Sequence, residues 1–170
     1  RTIAPFVGSL IPYTPRAFEP FVGGGAILPF HKAPCITAGD VIPELIALWV
    51  LIKESPEEVA EGYKERWERL QSEGYTAYYA IRNSFNETRN PVDLLFLSRT
   101  CVNGLIRFNS NGDFKKFIHH HGDIGVMLWC QAWHFHFGLA LLAPLSLVFV
   151  LNRPFLFSST EAFAKLVKKP

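Results

Sequence analysis

The chain has 170 residues, of which 49% are hydrophobic, and a formal net charge of +2. This length and apolar content are sufficient for one domain with a core and short for two. So small a net charge excludes the uniform positive field of a histone-like protein, and any contact with nucleic acid must come from a local cluster of basic residues.

The three cysteines, Cys35, Cys101 and Cys130, are odd in number and widely spaced, and they form no C-x-x-C pair. The sequence therefore predicts neither a disulfide framework nor a zinc knuckle. The first residues, RTIAPFVGSL, lack the apolar core of a signal peptide. We expect a reduced setting and a cytoplasmic protein.

A glycine-rich motif comes first along the chain: FEPFVGGGA, residues 18–26, precedes CITAGD, which predicts a buried strand that ends at Asp40. Glycines after a strand let the backbone approach a ligand closely, and an acid after the next strand can accept hydrogen bonds from ribose hydroxyls. The residues alone also allow a plain turn at the glycines and an N-cap role for Asp40.

The next segments carry helical periodicity. IPELIALWVLIKE repeats apolar residues at helical spacing, and Ser55-Pro56 followed by Glu58 predicts a capping box at the start of a second helix. The predicted inner stripe of this helix is Val59, Tyr63, Trp67 and Leu70. We expect a third helix over residues 75–85 and a fourth that begins at Asn90.

Two Asn-Gly pairs lie in CVNGLIRFNSNGDF, which follows the fourth helix. Asn-Gly is the strongest short-range signal for a hairpin because both residues tolerate positive φ. This segment predicts a loop or hairpin that presents side chains.

The last third of the chain has a different composition. Five of the six histidines lie between His119 and His136, but adjacent histidines cannot all face one ion, and we predict no metal site. The apolar run over residues 137–151 is shorter than the roughly 20 residues of a membrane span and contains Pro144, which favours a buried strand or helix pair.

Three segments in this order, FEPFVGGGA, GDVIPELIALW and FLSRTCVNGLIRFNSNGDF, resemble the Dam-type DNA adenine-N6 methyltransferases of phages and restriction-modification systems. The resemblance covers about residues 11–114. It implies an α/β protein with an incomplete Rossmann-like methyltransferase core, in which residues 1–53 begin the core, 54–114 form a helical and β-hairpin target-recognition insert, and 115–170 are an atypical return to the core.

The same resemblance implies a cofactor, S-adenosylmethionine. The glycine motif would cradle it through Phe21, Gly23 and Gly25, and Asp40 would hold its ribose. S-adenosylmethionine has no pyrophosphate, so a glycine turn and one carboxylate suffice without the phosphate-binding helix end of a dinucleotide fold.

The Asn-Gly segment corresponds to the family's hairpin that contacts the target site in double-stranded DNA. Arg107 suits guanine O6 and N7, Asn103 suits a base or the gap left by a flipped adenine, and Leu105 suits a thymine methyl group. Arg99 suits a phosphate or the hairpin itself, and Asn109 completes the motif.

Lys115 and Lys116 follow the hairpin and would add phosphate contacts, with solvated surface charge as the alternative.

Two family motifs are altered. PFVGS, residues 5–9, resembles the opening of an aromatic-Gly-Gly/Ser-Lys motif, but no lysine follows and there is no room for the next helix, which suggests an internal deletion. The catalytic Asp-Pro-Pro-Tyr is absent. Its nearest counterpart is Asn152, Arg153, Pro154 and Phe155, at the end of a β-rich run, where Arg153 is unfavourable beside a sulfonium.

The alternative is that the chain beyond about residue 114 is not family sequence.

The resemblance thus predicts a site-specific enzyme that transfers a methyl group from S-adenosylmethionine to N6 of a flipped adenine, by positioning and lone-pair localisation. Three alternatives remain: an inactive DNA- or cofactor-binding remnant, a small membrane-associated protein, and an RNA or protein methyltransferase. The last should not need the Asn-Gly-Leu-x-Arg hairpin.

Overall fold

The computed structural model describes residues 3–118 and the backbone of residues 155–159. In chain order, the helices and strands of these residues are α1 (Ile3–Leu10), β1 (Arg16–Glu19), β2 (Cys35–Asp40), α2 (Pro43–Glu54), α3 (Pro56–Glu73), α4 (Tyr75–Thr88), α5 (Pro91–Thr100) and β3 (Phe155–Ser159). They belong to two compact units, which divide after Lys53: the first contains α1, α2 and the strands, and the second contains α3, α4 and α5.

The first unit is built on a parallel sheet in which β2 lies between β1 and β3. Glu19 pairs with Ala38 and Asp40 pairs with Ser159, so the carboxyl ends of the strands share one edge of the sheet. In open α/β sheets, ligands bind at this edge. The prediction of a buried strand that ends at Asp40 is confirmed.

The core of this unit consists of buried side chains from β2, from the segment that follows β1 and from the first turn of α2. Trp49, on the next turns of α2, packs against it. Burial of these side chains supplies the main stabilising free energy, about 25 cal/mol for each Å² of apolar surface removed from water. The members are Val22, Leu28, Ala33, Ile36, Ala38 and Ile46.

A helix precedes β1, which the sequence did not predict. Residues 5–9 lie inside α1, where buried Gly8 faces a single 3-10 turn, Leu28–Phe30. A Cβ atom on Gly8 would lie 2.3 Å from Cβ of Phe30, so glycine permits this close approach. The helix that the family places after this motif is not found here, because the chain runs from Leu10 to Arg16 of β1 without one. The internal deletion stays a prediction.

The second unit packs α3, α4 and α5 against one another. The predicted stripe of α3 is confirmed: Val59, Trp67 and Leu70 are buried, and the ring of Tyr63 lies 6.2 Å from that of Phe96. The helices themselves also match the periodicity of the sequence, since the third and fourth predicted helices correspond to α4 and α5.

A buried carboxylate crosslinks all three helices of this unit. Asp93 of α5 is 3% exposed; it accepts a hydrogen bond from Nε of Arg66 in α3 and another, 3.2 Å long, from the hydroxyl of Ser84 in α4. These partners offset the cost of burying its charge.

The two predicted helix starts differ in how they are capped. The Asn90 side chain accepts a hydrogen bond from the Val92 N–H at 2.8 Å, as a good N-cap does. Ser55 is also an N-cap and Pro56 follows it, but its side chain makes no capping hydrogen bond. The predicted capping box was wrong because ψ of Ser55 is 64°, outside the extended region that a side-chain cap normally requires.

Candidate functional site

The glycine turn, residues 20–25, follows β1 at the carboxyl edge of the sheet. Gly23 and Gly25 have φ of 47° and 67°, which favours glycine. Among the described residues, a Cβ atom at Gly23 or Gly24 would meet no atom within 4 Å, whereas one at Gly25 would lie 2.6 Å from Cζ2 of Trp49. Within this part of the chain, α2 therefore covers the turn at Gly25 and leaves space at Gly23 and Gly24.

Asp40 ties this turn to the end of β2. Its Oδ2 accepts a hydrogen bond from the Gly23 N–H at 2.9 Å, and its Oδ1 accepts one from the Ile42 N–H at 3.1 Å. The N-cap alternative for Asp40 is wrong, because the Ile42 carbonyl accepts the first helical hydrogen bonds, from Leu45 and Ile46. A carboxylate has about four acceptor positions, so it can bind several donors at once.

The remaining predicted cofactor residues lie on the same turn. Phe21 is 81% exposed, while its neighbour Val22 is buried in the core. An exposed aromatic ring, a glycine backbone and a carboxylate at the carboxyl edge of the sheet match the chemistry of a ligand that has a purine face and ribose hydroxyls. Phe21, Gly23, Gly25 and Asp40 thus fit S-adenosylmethionine.

A hydrogen bond that the sequence did not predict stabilises this turn. The indole N–H of Trp49 donates to the carbonyl of Gly23 at 2.9 Å. The sequence identified Trp49 only by its helical spacing, which says nothing of a partner 26 residues earlier.

A second missed contact lies at the end of β1. Nε2 of His31 is 3.0 Å from Oε2 of Glu19, and both side chains are largely buried. Burial raises the pKa of Glu19, and the hydrogen bond and charge of His31 oppose that rise. The contact between His31 and Glu19 therefore links the end of the 3-10 turn to the end of β1.

In the second unit, residues 101–118 form the predicted hairpin-like segment, here called the basic loop. Antiparallel bridges join Cys101 to Ile118 and Phe108 to Phe114. Asn103 and Gly104 both have positive φ, of 60° and 62°, as the Asn-Gly signal predicted.

The side chain of Asn109 holds the tip of the basic loop. Its Oδ1 accepts hydrogen bonds from the N–H groups of Asn111 and Asp113, at 2.9 and 2.8 Å, and its Nδ2 donates to Oδ2 of Asp113 at 3.1 Å. This side chain therefore shapes the loop.

Arg107 and Lys115 lie directly opposite each other in the register set by the Phe108–Phe114 bridge, and the Lys115 N–H donates to the Arg107 carbonyl at 3.0 Å. Both are exposed. Like charges opposite one another destabilise a ladder. An anion bound between the two cationic side chains would offset this repulsion.

The other predicted DNA residues lie on or next to this loop. Asn103 is exposed, Leu105 is 46% exposed, and Arg99 is half-buried in the last turn of α5.

The basic loop is anchored on α4. The rings of Phe85, Phe108 and Phe114 lie 6.0 to 6.3 Å apart. Asn86 accepts a hydrogen bond from the Phe114 N–H at 2.7 Å, and the Tyr78 hydroxyl donates to the Lys116 carbonyl at 3.1 Å. Burial raises the pKa of Tyr78.

Of the predicted catalytic residues, Asn152 and Pro154 lie outside the described residues. Phe155 is the first residue of β3 and pairs with Ile36, at the amino edge of the sheet. The β-rich run that the sequence predicts before this tetrapeptide lies outside the described residues, and β3 begins at the last residue of the tetrapeptide. Phe155 therefore lies at the opposite edge from the glycine turn, about 13 Å along the strand from the level of Asp40.

In the described part of the chain, no group of three His, Cys, Asp or Glu residues could hold a metal ion. None of the helices over residues 3–118 is long and apolar enough to cross a membrane. The histidine cluster and the apolar run over residues 137–151 lie outside the described residues.

Comparison with known proteins identifies relatives. The chain is 30% identical over 115 residues to the type II methyltransferase M.MjaIII of Methanocaldococcus jannaschii, a match that covers 59% of this chain and 40% of the relative. It is 32% identical over 101 residues to the DNA adenine methylase of Haemophilus influenzae, covering 57% and 35% of the two chains. The retron Ec67 DNA adenine methylase of Escherichia coli is 32% identical over 111 residues, with 62% and 38% covered.

The chain thus spans about 40% or less of the length of these relatives. The family model of the D12 class N6 adenine-specific DNA methyltransferases matches residues 1–121. This class implies a fold that uses S-adenosylmethionine as methyl donor and DNA as substrate. The chain belongs to the D12 class N6 adenine-specific DNA methyltransferases.

Proposed function

We propose that this chain supplies the cofactor-binding and target-recognition parts of a site-specific adenine-N6 methyltransferase that acts on double-stranded DNA. The observation that carries the proposal is the hydrogen bond of Asp40 to the glycine turn, at the carboxyl edge of a parallel sheet. In this assignment, residues 1–53 begin a Rossmann-like core, residues 54–114 form the target-recognition insert, and residues 115–170 return to the core.

S-adenosylmethionine, when bound, supplies a methyl group on a sulfonium for transfer to a nucleophilic nitrogen. The exposed ring of Phe21 would stack on the adenine of the cofactor. Gly23 would let the backbone approach the cofactor, Gly25 would shape the turn against Trp49, and the carboxylate of Asp40 would accept hydrogen bonds from the ribose hydroxyls. This arrangement orients the cofactor without a phosphate-binding helix end.

The basic loop would contact DNA through its exposed residues. Arg107 offers a bidentate donor for guanine O6 and N7, worth about 1–3 kcal/mol of discrimination, and Lys115 opposite it offers a phosphate contact. Asn103 and Leu105 would meet bases, and Arg99 would position the loop or a phosphate. Asn109 keeps a supporting role, because its amide already binds the loop backbone.

A second candidate is a protein that binds cofactor and DNA without transferring the methyl group. The observation that favours it is the position of Phe155 at the amino edge of the sheet. Catalysis would need acceptors for the adenine amino hydrogens beside the cofactor, at the carboxyl edge, and the backbone position of Phe155 does not favour the catalytic role predicted for Asn152, Pro154 and Phe155. Their role stays a prediction.

Calorimetric titration with S-adenosylmethionine tests the cofactor site. Asp40→Asn replaces one acceptor oxygen with a donor, and Glu54→Gln makes the same charge change at an exposed position at the end of α2. We expect binding by the wild type and by Glu54→Gln, and at least tenfold weaker binding by Asp40→Asn, since loss of a hydrogen bond to a charged group costs about 1.5–3 kcal/mol. Unchanged binding by Asp40→Asn would place the cofactor elsewhere.

Transfer of a labelled methyl group to unmethylated duplex DNA separates the two candidates. Incorporation of label that is strongly reduced by Asp40→Asn supports the enzyme. Cofactor binding with no incorporation at any protein concentration supports the binding protein instead.

A DNA-binding titration at several salt concentrations tests the basic loop. Arg107→Ala should weaken duplex binding by about 1–3 kcal/mol and reduce sequence preference. Arg69→Ala, which removes the same charge from the exposed face of α3, should change binding little. An equal loss of DNA affinity in the two variants would mean that Arg107 does not contact the DNA specifically.

A further inference from the structure

Trp49 contacts the glycine turn in two independent ways. Its indole N–H donates to the Gly23 carbonyl at 2.9 Å, and Cζ2 and Cη2 of its ring fill the space where a Cβ atom of Gly25 would lie, at 2.6 and 2.7 Å. Since Trp49 also packs against the core of its unit, its ring has little freedom to move. The indole ring of Trp49 therefore restrains the backbone of the glycine turn.

This contact determines which way a neighbouring backbone group faces. The carbonyl of Gly23 and the N–H of Gly24 belong to the same planar trans peptide and point in opposite directions. Because the carbonyl is directed to the indole of α2, the Gly24 N–H is directed away from α2. That side of the turn is open: a Cβ atom on Gly23 or Gly24 would meet no described atom within 4 Å.

Asp40 completes the restraint on this peptide. It binds the N–H of Gly23, so both polar backbone groups of Gly23 are held, the N–H by β2 and the carbonyl by α2. Fixed donors favour binding because less conformational entropy is lost when the ligand arrives.

We propose that Trp49 is a positioning residue of the cofactor site: by holding the Gly23 carbonyl, it aims the Gly24 N–H at the cofactor as a hydrogen-bond donor. This inference rests on the proposed function, since it takes the ligand of the glycine turn to be S-adenosylmethionine. Packing against the core would not by itself require Trp49 to have such a role in binding.

Two replacements of Trp49 separate the hydrogen bond from the packing. Trp49→Phe removes the donor and part of the ring. Benzothienylalanine in place of Trp49 keeps the bicyclic shape against Gly25 and replaces only the N–H with sulfur. Trp67→Phe is the matched control, because Trp67 is a largely buried tryptophan, 8% exposed, that belongs to α3 in the second unit.

The full chain is titrated calorimetrically with S-adenosylhomocysteine, which carries no reactive methyl group. We expect about five- to tenfold weaker binding in both Trp49 variants, as loss of one hydrogen bond predicts, and unchanged binding in Trp67→Phe. Circular dichroism checks that each variant folds, and the benzothienylalanine variant remains informative if Trp49→Phe does not fold.

The amide resonance of Gly24 provides a readout that a purely structural role would not move. In the wild type, this N–H should shift strongly when ligand is added, and in the Trp49 variants it should already differ in the free protein and respond less to ligand. Wild-type affinity in the benzothienylalanine variant would overturn the role of Trp49 while leaving the cofactor site intact. Absence of binding by the wild type would overturn the proposed cofactor site and this inference together.

Discussion

Two regions of the molecule use polar residues in contrasting ways. At the glycine turn, the carboxylate of Asp40 is almost buried and binds two backbone N–H groups. In the basic loop, Arg107 and Lys115 are exposed and occupy opposite positions in the backbone register. The first region is held in shape by its polar groups, whereas the second exposes its charges to solvent.

The contrast has a physical cause. A small ligand that is enclosed by backbone needs donors and acceptors fixed in advance, because each group that must be ordered on binding reduces affinity. A DNA surface attracts long cationic side chains through its phosphates, and those side chains act from an exposed position. Asn109 shows that the basic loop also contains a structural amide, so the contrast concerns individual residues as well as regions.

The largest expected effect concerns the aromatic packing that anchors the basic loop on α4. Phe114→Ala should lower the free energy of unfolding by about 3–5 kcal/mol, because this ring is 1% exposed and packs on Phe85 and Phe108. Phe117→Ala, at a side chain that is 57% exposed, should change it by less than about 0.5 kcal/mol. Denaturant unfolding measures both. Similar losses in the two variants would mean that the loop is not packed on α4.

Asp40→Asn tests whether the glycine turn is held in shape before any ligand binds. We expect a loss of about 1–3 kcal/mol in the free energy of unfolding without cofactor, because the N–H of Gly23 or of Ile42 loses its acceptor. Denaturant unfolding of the ligand-free protein provides the measurement, with Glu54→Gln as control. Stability equal to the wild type would indicate that Asp40 serves the ligand alone.

Asn109→Ala makes the corresponding test in the basic loop. It should cost about 1 kcal/mol of stability through the lost hydrogen bonds at an exposed tip, and it should weaken DNA binding uniformly across sequences by loosening the loop. A competition assay with several duplexes measures this. A change in sequence preference instead would show that Asn109 reads a base.

The smallest expected effect concerns pH. Burial raises the pKa of Glu19 above its ordinary 4.5, so the folded chain binds this proton more tightly than the unfolded chain does. This contribution to stability is present below the unfolded pKa and is lost as pH rises through the folded pKa. Glu19→Gln, which cannot ionise, should therefore gain stability relative to the wild type as the pH rises above 4.5, the ordinary pKa of this carboxyl group. A pH-independent difference in unfolding free energy would contradict the shift.

Local signals predicted most of the elements. A short segment that ends in an acid predicted the buried strand β2, the apolar stripe predicted α3, and the Asn90 cap was confirmed as the start of α5. The failures were local as well: Ser55 has a capping residue type but a backbone conformation that does not allow the side chain to cap. The helix α1 was missed because PFVGS was interpreted as a motif, while Gly8 serves the packing of α1 on Phe30.

The sequence by itself determined the family, the periodic helices, and the residues that form the glycine turn and the basic loop, because these depend on neighbours within a few positions along the chain. Only the tertiary structure decided what the polar side chains bind. Asp40 and Trp49 reach Gly23 across 17 and 26 residues, and Phe155 is carried to the amino edge of the sheet by its pairing with Ile36. Such contacts arise from packing and strand order, which bring distant residues together and leave no periodic signal in the chain.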